Sequence, residues 1–358
     1  MNVKVVTGAN LGDEGKGMVA YSLAKEAISH NEKVLSVLYN GGVQRGHTAN
    51  GQVVHCTGTG DLAGGTTYYD EHFVVDPIAL WLTDTRVYIH PKCRIVLPCD
   101  VMRNREKEIA RGLSKHGSCG MGIFECVKRH RHSHLKLCAA DLKDYFTLYN
   151  KVEQMRKTFA YDLNDDVYNT DNFMRAADYV VRNCSIIELH EIVSGYDTLI
   201  FEGGQGLLLD QANLGSFPHL TPSSVGSYNI HETINRLGAE STDIFYVSRS
   251  YMTRHGVGPM DAECSKDDIN PAIVDTTNIR NDWQDDLRFG YLDTDKLYRR
   301  VQADFSRYSD AKLNMVFTQL NYTNGRIATG KGKFDEIVVP SFVDGLYLSD
   351  QKDVINKV

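Results

Sequence analysis

The chain has 358 residues, 42% hydrophobic and 24% charged, with a net charge of −7. That length suits one large domain or two medium ones of ordinary globular composition, and the negative balance argues against general nucleic-acid binding. No apolar run approaches a membrane span, and the eight cysteines, with no C-x-x-C pair, read as free thiols of a reducing compartment, so a soluble cytoplasmic protein is expected.

Val3 to Thr7 is a short β-branched run that predicts a buried strand. It delivers Gly8-Ala9-Asn10-Leu11-Gly12-Asp13-Glu14-Gly15-Lys16-Gly17, and Met18 to Ala27 continues at helical spacing. A strand, a glycine turn and a helix N-terminus place free N–H groups where a phosphate can sit, with Lys16 as a point charge. A Walker loop has four residues between its first glycine and Gly-Lys, then Ser or Thr. Here six residues separate Gly8 from Gly15, Gly17 follows Lys16, and an acid, Asp13, lies inside the turn. The bland reading is a plain strand–turn–helix corner.

Lys33 to Tyr39 predicts a second strand, running into the glycine-rich Asn40 to Thr48 at the edge where open α/β sheets bind ligands. His47 in that turn is either a hydrogen-bonded structural residue or a group that donates a proton or stabilises charge on a transferring phosphoryl. His55 to Gly65 reads as loop, while Phe73 to Asp76 and Ile95 to Leu97 read as strands. Gly117 to Ile123 is a third glycine-rich turn, followed by the basic run Lys128 to His134. That run is either a solvated face or a site for a phosphate monoester. His130, His132 and His134 alternate, yet no carboxylate or cysteine stands in register to complete a metal site.

Ala140 to Val193 reads as largely helical. Asp197 to Phe201 returns to strand and delivers Glu202-Gly203-Gly204-Gln205-Gly206, where an amide between glycines can approach a ligand closely. Ile244 to Val247 leads to Thr253 to Pro259, and Asn314 to Thr318 ends in Gln319-Leu320-Asn321. The recurring strand-to-loop junctions predict an α/β fold over 1–358: a large, mostly parallel central sheet with surrounding helices, a glycine-rich phosphate loop and a helical insertion at about 140–193.

The ordered motifs GDEGKG, GG-x-x-x-GHT, VVDPxAL, FEGxQGxLLD with P-x-x-TxSS, and TRxGxGP resemble the adenylosuccinate synthetase family from about Gly8 to Leu292. The resemblance implies a C–N ligase that joins L-aspartate to carbon 6 of a purine nucleoside monophosphate, using Mg2+ and a nucleoside triphosphate. It implies that Asp13 takes the N1 proton and, with the carbonyl of Gly46, helps hold magnesium. His47 would assist phosphoryl transfer, and Gly12, Glu14, Gly15, Lys16, Gly17 and Thr48 would surround the phosphates. Gln205 and Gln44 match the amides at the base and phosphate. Ser118, Cys119 and Thr221 match the surroundings of the 5′-phosphate, and Arg129 or Arg131 the arginine that crosses a homodimer interface. Thr276, Thr277, Arg288 and Arg254 match residues near the aspartate substrate.

Three departures stand against those matches. Family members that read guanine use Thr-Lys-x-Asp, and here Thr318-Gln319-Leu320-Asn321 offers amides that suit adenine's edge better. The arginine-rich stretch before Gly290 is altered, and the middle and tail are shorter than in bacterial members. These changes are similar to a divergent, phage- and archaeal-type branch that acts on dGMP with ATP or dATP and makes the precursor of 2-aminoadenine. The expected reaction is therefore (d)GMP with aspartate and ATP or dATP, with the ordinary IMP and GTP enzyme as the alternative. A GTPase-like module would need Ser or Thr after Lys16, and an inactive nucleotide sensor would be expected to lose Asp13 or His47.

Overall fold

The computed structural model describes 1–358 apart from 160–164, 276–277, 279–282, 284 and 352. Its backbone is a sheet built from β1 (Asn2–Gly8), β2 (Val34–Leu38), β3 (Thr66–Tyr69), β4 (Tyr88–Ile89), β5 (Ser185–Ile186), β6 (Thr198–Gly206), β7 (Ser241–Arg249), β8 (Lys312–Thr318), β9 (Gly345–Leu348) and β10 (Asn356–Lys357). The spatial order is β10-β9-β8-β7-β1-β6-β2-β3-β4-β5. Every neighbouring pair is parallel except β9 with β10, which closes one edge antiparallel.

The helices that matter below are α1 (Lys16–Ser29), α2 (Pro98–Arg111), α3 (Ile123–Arg129), α4 (Tyr145–Phe159), α5 (Thr170–Asn183) and α6 (Thr294–Phe305). The middle strands read as nearly continuous apolar runs because both sheet faces are covered. Val6, Ile200, Phe245, Val247 and Val316 pack on Val19, Ala20, Leu23 and Ala24 of α1. On the opposite face Val3, Val5, Phe201, Tyr246 and Phe317 pack against Leu297 and Val301 of α6. Burying a Leu or Val side chain contributes about 1.5–3 kcal/mol, so these two layers fix the strand ends that carry the loops.

The five longest strands lie where the hydrophobic runs predict them, whereas β3, β4, β5, β9 and β10 are too short to show a period. The predicted strands near 74 and 95 form a separate parallel pair, Val74–Val75 with Arg94–Ile95. The stretch expected to be helical holds α4 and α5, but β5 interrupts it and joins the sheet edge. Among the described residues no helix is long and apolar enough to cross a membrane.

The basic run is corrected at Arg129. This residue ends α3 fully inside the protein, with Nε 3.0 Å from Asp100 Oδ1 and Nη2 2.8 Å from Asp100 Oδ2. Its remaining N–H groups reach the carbonyls of Leu135 at 2.7 Å and Ile95 at 2.6 Å. A guanidinium with all three nitrogens engaged internally ties α3 to α2 and cannot reach a nucleotide or a partner. Arg131 remains exposed, and His130 is buried, its Nε2 accepting from the Leu137 amide at 3.4 Å. Arg129→Leu should leave the Asp100 carboxylate buried and unpaired, lowering stability by about 3–5 kcal/mol in urea unfolding, whereas Arg131→Leu should change it by about 0.5 kcal/mol or less.

Candidate active site

The carboxyl ends of β1, β2, β6, β7 and β8 open on one cleft of about 1100 Å³. At its floor the turn after β1 carries Gly12 and Gly15 at φ 98° and 96°, and Asp13, unusually for a residue with a side chain, at φ 58°. Glu14 is sealed inside the turn. Its Oε1 accepts from the amides of Gly12 at 2.8 Å and Asn10 at 3.1 Å, and its Oε2 pairs with Lys16 Nζ at 2.6 Å. Burial acts to raise the Glu14 pKa, but Lys16 and those amides overcome it and hold the carboxyl below its usual range.

Two glycines make room for this anion: a Cβ on Gly8 would lie 2.5 Å from Glu14 Oε2, and one on Gly206 2.4 Å from Oε1. The Glu14 side chain is therefore no phosphate contact, which leaves its backbone amide for that role. Its carboxylate shapes the turn from within, and Lys16 is paired to it while still lining the cleft. The turn is also gripped from behind. Thr318 donates to the Glu14 carbonyl at 2.7 Å, Arg249 Nε to the Asp13 carbonyl at 2.5 Å, and Arg300 Nε to the Ala9 carbonyl at 2.7 Å. Gly17 replaces the Walker hydroxyl because a Cβ there would meet His47 Cβ at 2.7 Å and Thr59 Cγ2 at 3.0 Å.

His47 lines the cleft beside this turn and is oriented by Glu202 at the middle of β6. Its Nδ1 lies 2.5 Å from Glu202 Oε1, which also accepts from Arg45 Nη2 at 2.8 Å; the other carboxylate oxygen accepts from the Thr59 amide at 2.8 Å. Burial tends to raise the Glu202 pKa, yet Arg45 and His47 bring it down to about 2. Burial and Arg45 push His47 down to about 4 against the pull of Glu202, so the imidazole is neutral at pH 7. Its Nδ1–H then donates to Glu202, a carboxylate–histidine arrangement that fixes tautomer and ring plane. Asp13 is raised by burial, opposed by Arg249 and Lys16.

Gln44 and Gln205 meet over Gly41, where an added Cβ would lie 3.2 Å and 3.0 Å from their Nε2 atoms. Their Oε1 atoms are buried with no hydrogen-bond partner among the described residues. Ser118, Cys119 and Thr221 line the same cleft, as do Gly46 and Thr48. Ser118 Oγ donates to Asn104 Oδ1 at 2.8 Å, and Asn104 also takes the Gly122 amide at 3.1 Å. Asn104, on α2, has no local motif to betray it. At the opposite end Gln319 and Asn321 line the cleft together with Asp350 and Asp353 from the tail.

A small sheet pairs Met252–His255 with Leu287–Gly290 and sets Arg254 opposite Arg288. Arg254 lines the cleft, donates to the carbonyls of Val257 at 2.9 Å, Pro259 at 2.7 Å and His219 at 3.1 Å, and is lowered to about 10 by burial and by Arg288. Arg288 stands outside the cleft lining, paired with Glu263 and donating to the carbonyls of Gly256 and Gly258. Its assignment to the amino-acid substrate is corrected to bracing the 256–258 turn. Thr276 and Thr277 lie outside the described residues. Among the described residues no three His, Cys, Asp or Glu side chains form a metal cluster. Asp13, a carboxylate lining the same cleft as Gly46, suits magnesium, which is usually held by one or two carboxylates and the substrate's phosphates.

A phosphate-type turn opening on a cleft at the carboxyl edge of a parallel sheet defines an α/β nucleotide-binding protein. The family model for adenylosuccinate synthetase matches residues 5–308, and the chain belongs to that family. It is similar to the adenylosuccinate synthetase of Clostridium perfringens, at 25% identity over 291 residues, 74% of this chain and 66% of the relative. The Hydrogenobaculum enzyme is 28% identical over 301 residues, covering 77% and 69%. The chain thus spans just under two thirds of the clostridial relative's length. The fold resembles the fully ligated adenylosuccinate synthetase of Plasmodium falciparum, with a TM-score of 0.70 at 17% identity over 99% of this chain and 87% of that one. It also resembles the cyanophage S-2L succinoaminodeoxyadenylate synthetase solved with dGMP and with dATP as energy donor, with a TM-score of 0.57 at 15% identity over 90% and 85%.

Behind Glu202, Asp61 accepts from Thr67 Oγ1 at 2.7 Å and is raised to about 7, chiefly by burial and then by Glu202 against Thr67 and Arg45. A carboxyl whose folded pKa exceeds its unfolded value binds more protons when folded, so stability falls as pH rises from about 4 to 7. Asp61→Asn should remove that slope, raising the melting temperature at pH 8 more than at pH 4.

Proposed function

We propose that the chain joins L-aspartate to carbon 6 of a purine nucleoside monophosphate, (d)GMP in the first instance, with ATP or dATP as phosphoryl donor. The observation that carries the reaction class is the convergence of Asp13, the Glu202-held His47, Gln44 and Gln205 on one cleft with the phosphate turn. Asp13 accepts the proton from N1, so that the 6-oxygen attacks the γ-phosphorus and the bond to the β-phosphate oxygen breaks, releasing ADP or dADP; the aspartate amine then adds at carbon 6, loses a proton, and expels the 6-oxygen as inorganic phosphate. Neutral His47 gains proton affinity as the negative phosphoryl group approaches, and it stabilises charge there without moving. Magnesium, when bound by Asp13 and the Gly46 carbonyl, supplies charge neutralisation on the phosphates.

Gln205 faces the base, while Gln44, Ser118, Cys119 and Thr221 surround the 5′-phosphate. Arg254 and the stretch containing Thr276 and Thr277 receive the carboxylates of aspartate. The exposed Arg131 is the remaining candidate to cross a homodimer interface in the cytoplasm. The donor assignment is supported by Asn321, whose exposed amide lines the donor end beside Gln319 and offers both a donor and an acceptor to adenine. A second reading, IMP with GTP, is favoured by Asp350 at the same end, because a carboxylate accepts from guanine's two donors.

The test is phosphate release with aspartate and magnesium, offering IMP, GMP and dGMP in turn with ATP, dATP or GTP. Turnover with dGMP and ATP, moved towards GTP by Asn321→Asp, is the expected result. Turnover with IMP and GTP, lost in Asp350→Asn, would replace it with the second reading. Glu202→Gln should lower kcat about a hundredfold or more by releasing the His47 tautomer.

A further inference from the structure

His255 closes the short strand Met252–His255 and fills the first open position of Thr-Arg-x-Gly-x-Gly-Pro, where no pattern assigns it a role. Its imidazole lines the cleft, and its Nε2 atom is buried with no hydrogen-bond partner among the described residues. The backbone around the ring is fixed. His255 pairs antiparallel with Leu287, the Gly256 amide donates to the Asp286 carbonyl at 3.3 Å, and Arg254 holds the carbonyls of Val257 and Pro259. A buried polar atom held in place without a partner is costly unless a ligand supplies one.

The sheet order sets what that partner is. β1, which runs into the turn carrying Asp13, has β7 on one side and β6 followed by β2 on the other. His255 follows β7 and His47 follows β2, so the two imidazoles flank Asp13 from opposite sides. His255 is near enough to act on the carboxyl's charge: burial raises Asp13, and Arg249, Lys16 and His255 oppose it. Along one edge of a 6-oxopurine the 6-oxygen, N1 and the substituent of carbon 2 lie in a row. With N1 at Asp13 and the 6-oxygen towards His47, carbon 2 falls on the His255 side. In guanine that carbon bears an amino group with two N–H donors. One lies beside N1–H and can share the Asp13 carboxylate, while the other needs a second acceptor. An imidazole with its proton on Nδ1 offers one at Nε2. Hypoxanthine has only a C–H there and leaves Nε2 unpaired.

We propose that His255 is a specificity-determining residue that accepts from the 2-amino group of the monophosphate's base, so that the cleft selects a 2-amino-6-oxopurine over one lacking that group. The selection rests on the ligase reading, which places N1 at Asp13, and it fixes guanine rather than hypoxanthine as the base.

Titration calorimetry of the full chain with magnesium, against GMP, dGMP, IMP and dIMP, separates base from sugar. The wild type should bind the two guanine nucleotides about tenfold more tightly than the two hypoxanthine ones, the size of one neutral hydrogen bond. His255→Leu should bring all four within about twofold by weakening the guanine pair. His255→Gln, whose Oε1 accepts near the position of Nε2, should restore the preference. A preference that survives in His255→Leu overturns the assignment. So does a loss that separates GMP from dGMP instead of GMP from IMP, which would put the ring at the sugar.

Nitrogen NMR reads the same contact if the leucine variant does not fold. In wild-type protein labelled with 15N-histidine, the Nε2 resonance missing from His255→Gln should move upfield with saturating GMP and keep its unpaired position with IMP; equal shifts overturn the assignment. A guanine preference lost in His255→Leu, with no phosphate released from any nucleotide pair, refutes the ligase reading and leaves His255 as the reader of the base. No binding of any monophosphate refutes both.

Discussion

The carboxylate of Glu202 is the charge to which the chemistry of the cleft is tied. It sits in the interior at the middle of β6, where an unpaired ion would cost several kcal/mol. Arg45, His47 and the Thr59 amide satisfy it together. That demand pins the glycine-rich 40–48 loop to the sheet and turns His47 towards the phosphate turn. The packing of His47 over Gly17 then dictates the unusual form of the phosphate motif, because the hydroxyl of a Walker loop has no room. One buried anion thus accounts for a histidine's tautomer, a loop's position and a glycine's identity.

The charges around the cleft follow the same logic. Lys16 is matched by Glu14, Arg45 by Glu202, and Arg249 by Asp275. Arg254 differs, since its hydrogen bonds among the described residues go to carbonyl oxygens and Arg288 lies opposite it. A cation bonded to neutral oxygens retains most of its field. This makes the Arg254 end the part of the cleft where a carboxylate gains most.

Much of this was legible in the chain. Long β-branched runs followed by glycine turns revealed the five longest strands and the loops at their ends, because burial on both faces and tight turns leave local signatures. What stayed hidden is long-range. Nothing near Arg129 announces Asp100, so a basic run that is mostly solvated conceals one buried cation. Nothing near Arg45 announces Glu202, 157 positions away, and Arg249 belongs to no pattern at all. Two-residue strands such as β4 and β5 escape for another reason: a period of two cannot be read from two residues.

The carboxylate of Glu14 has a further consequence. A turn that carries its own internal anion is already folded around negative charge before any nucleotide arrives, so little ordering entropy opposes binding. The same occupancy leaves fewer unfilled donors for a bare anion. A triphosphate gains affinity from its base, its sugar and its metal, whereas free inorganic phosphate has only the turn itself. A site built in this way favours a triphosphate over free inorganic phosphate.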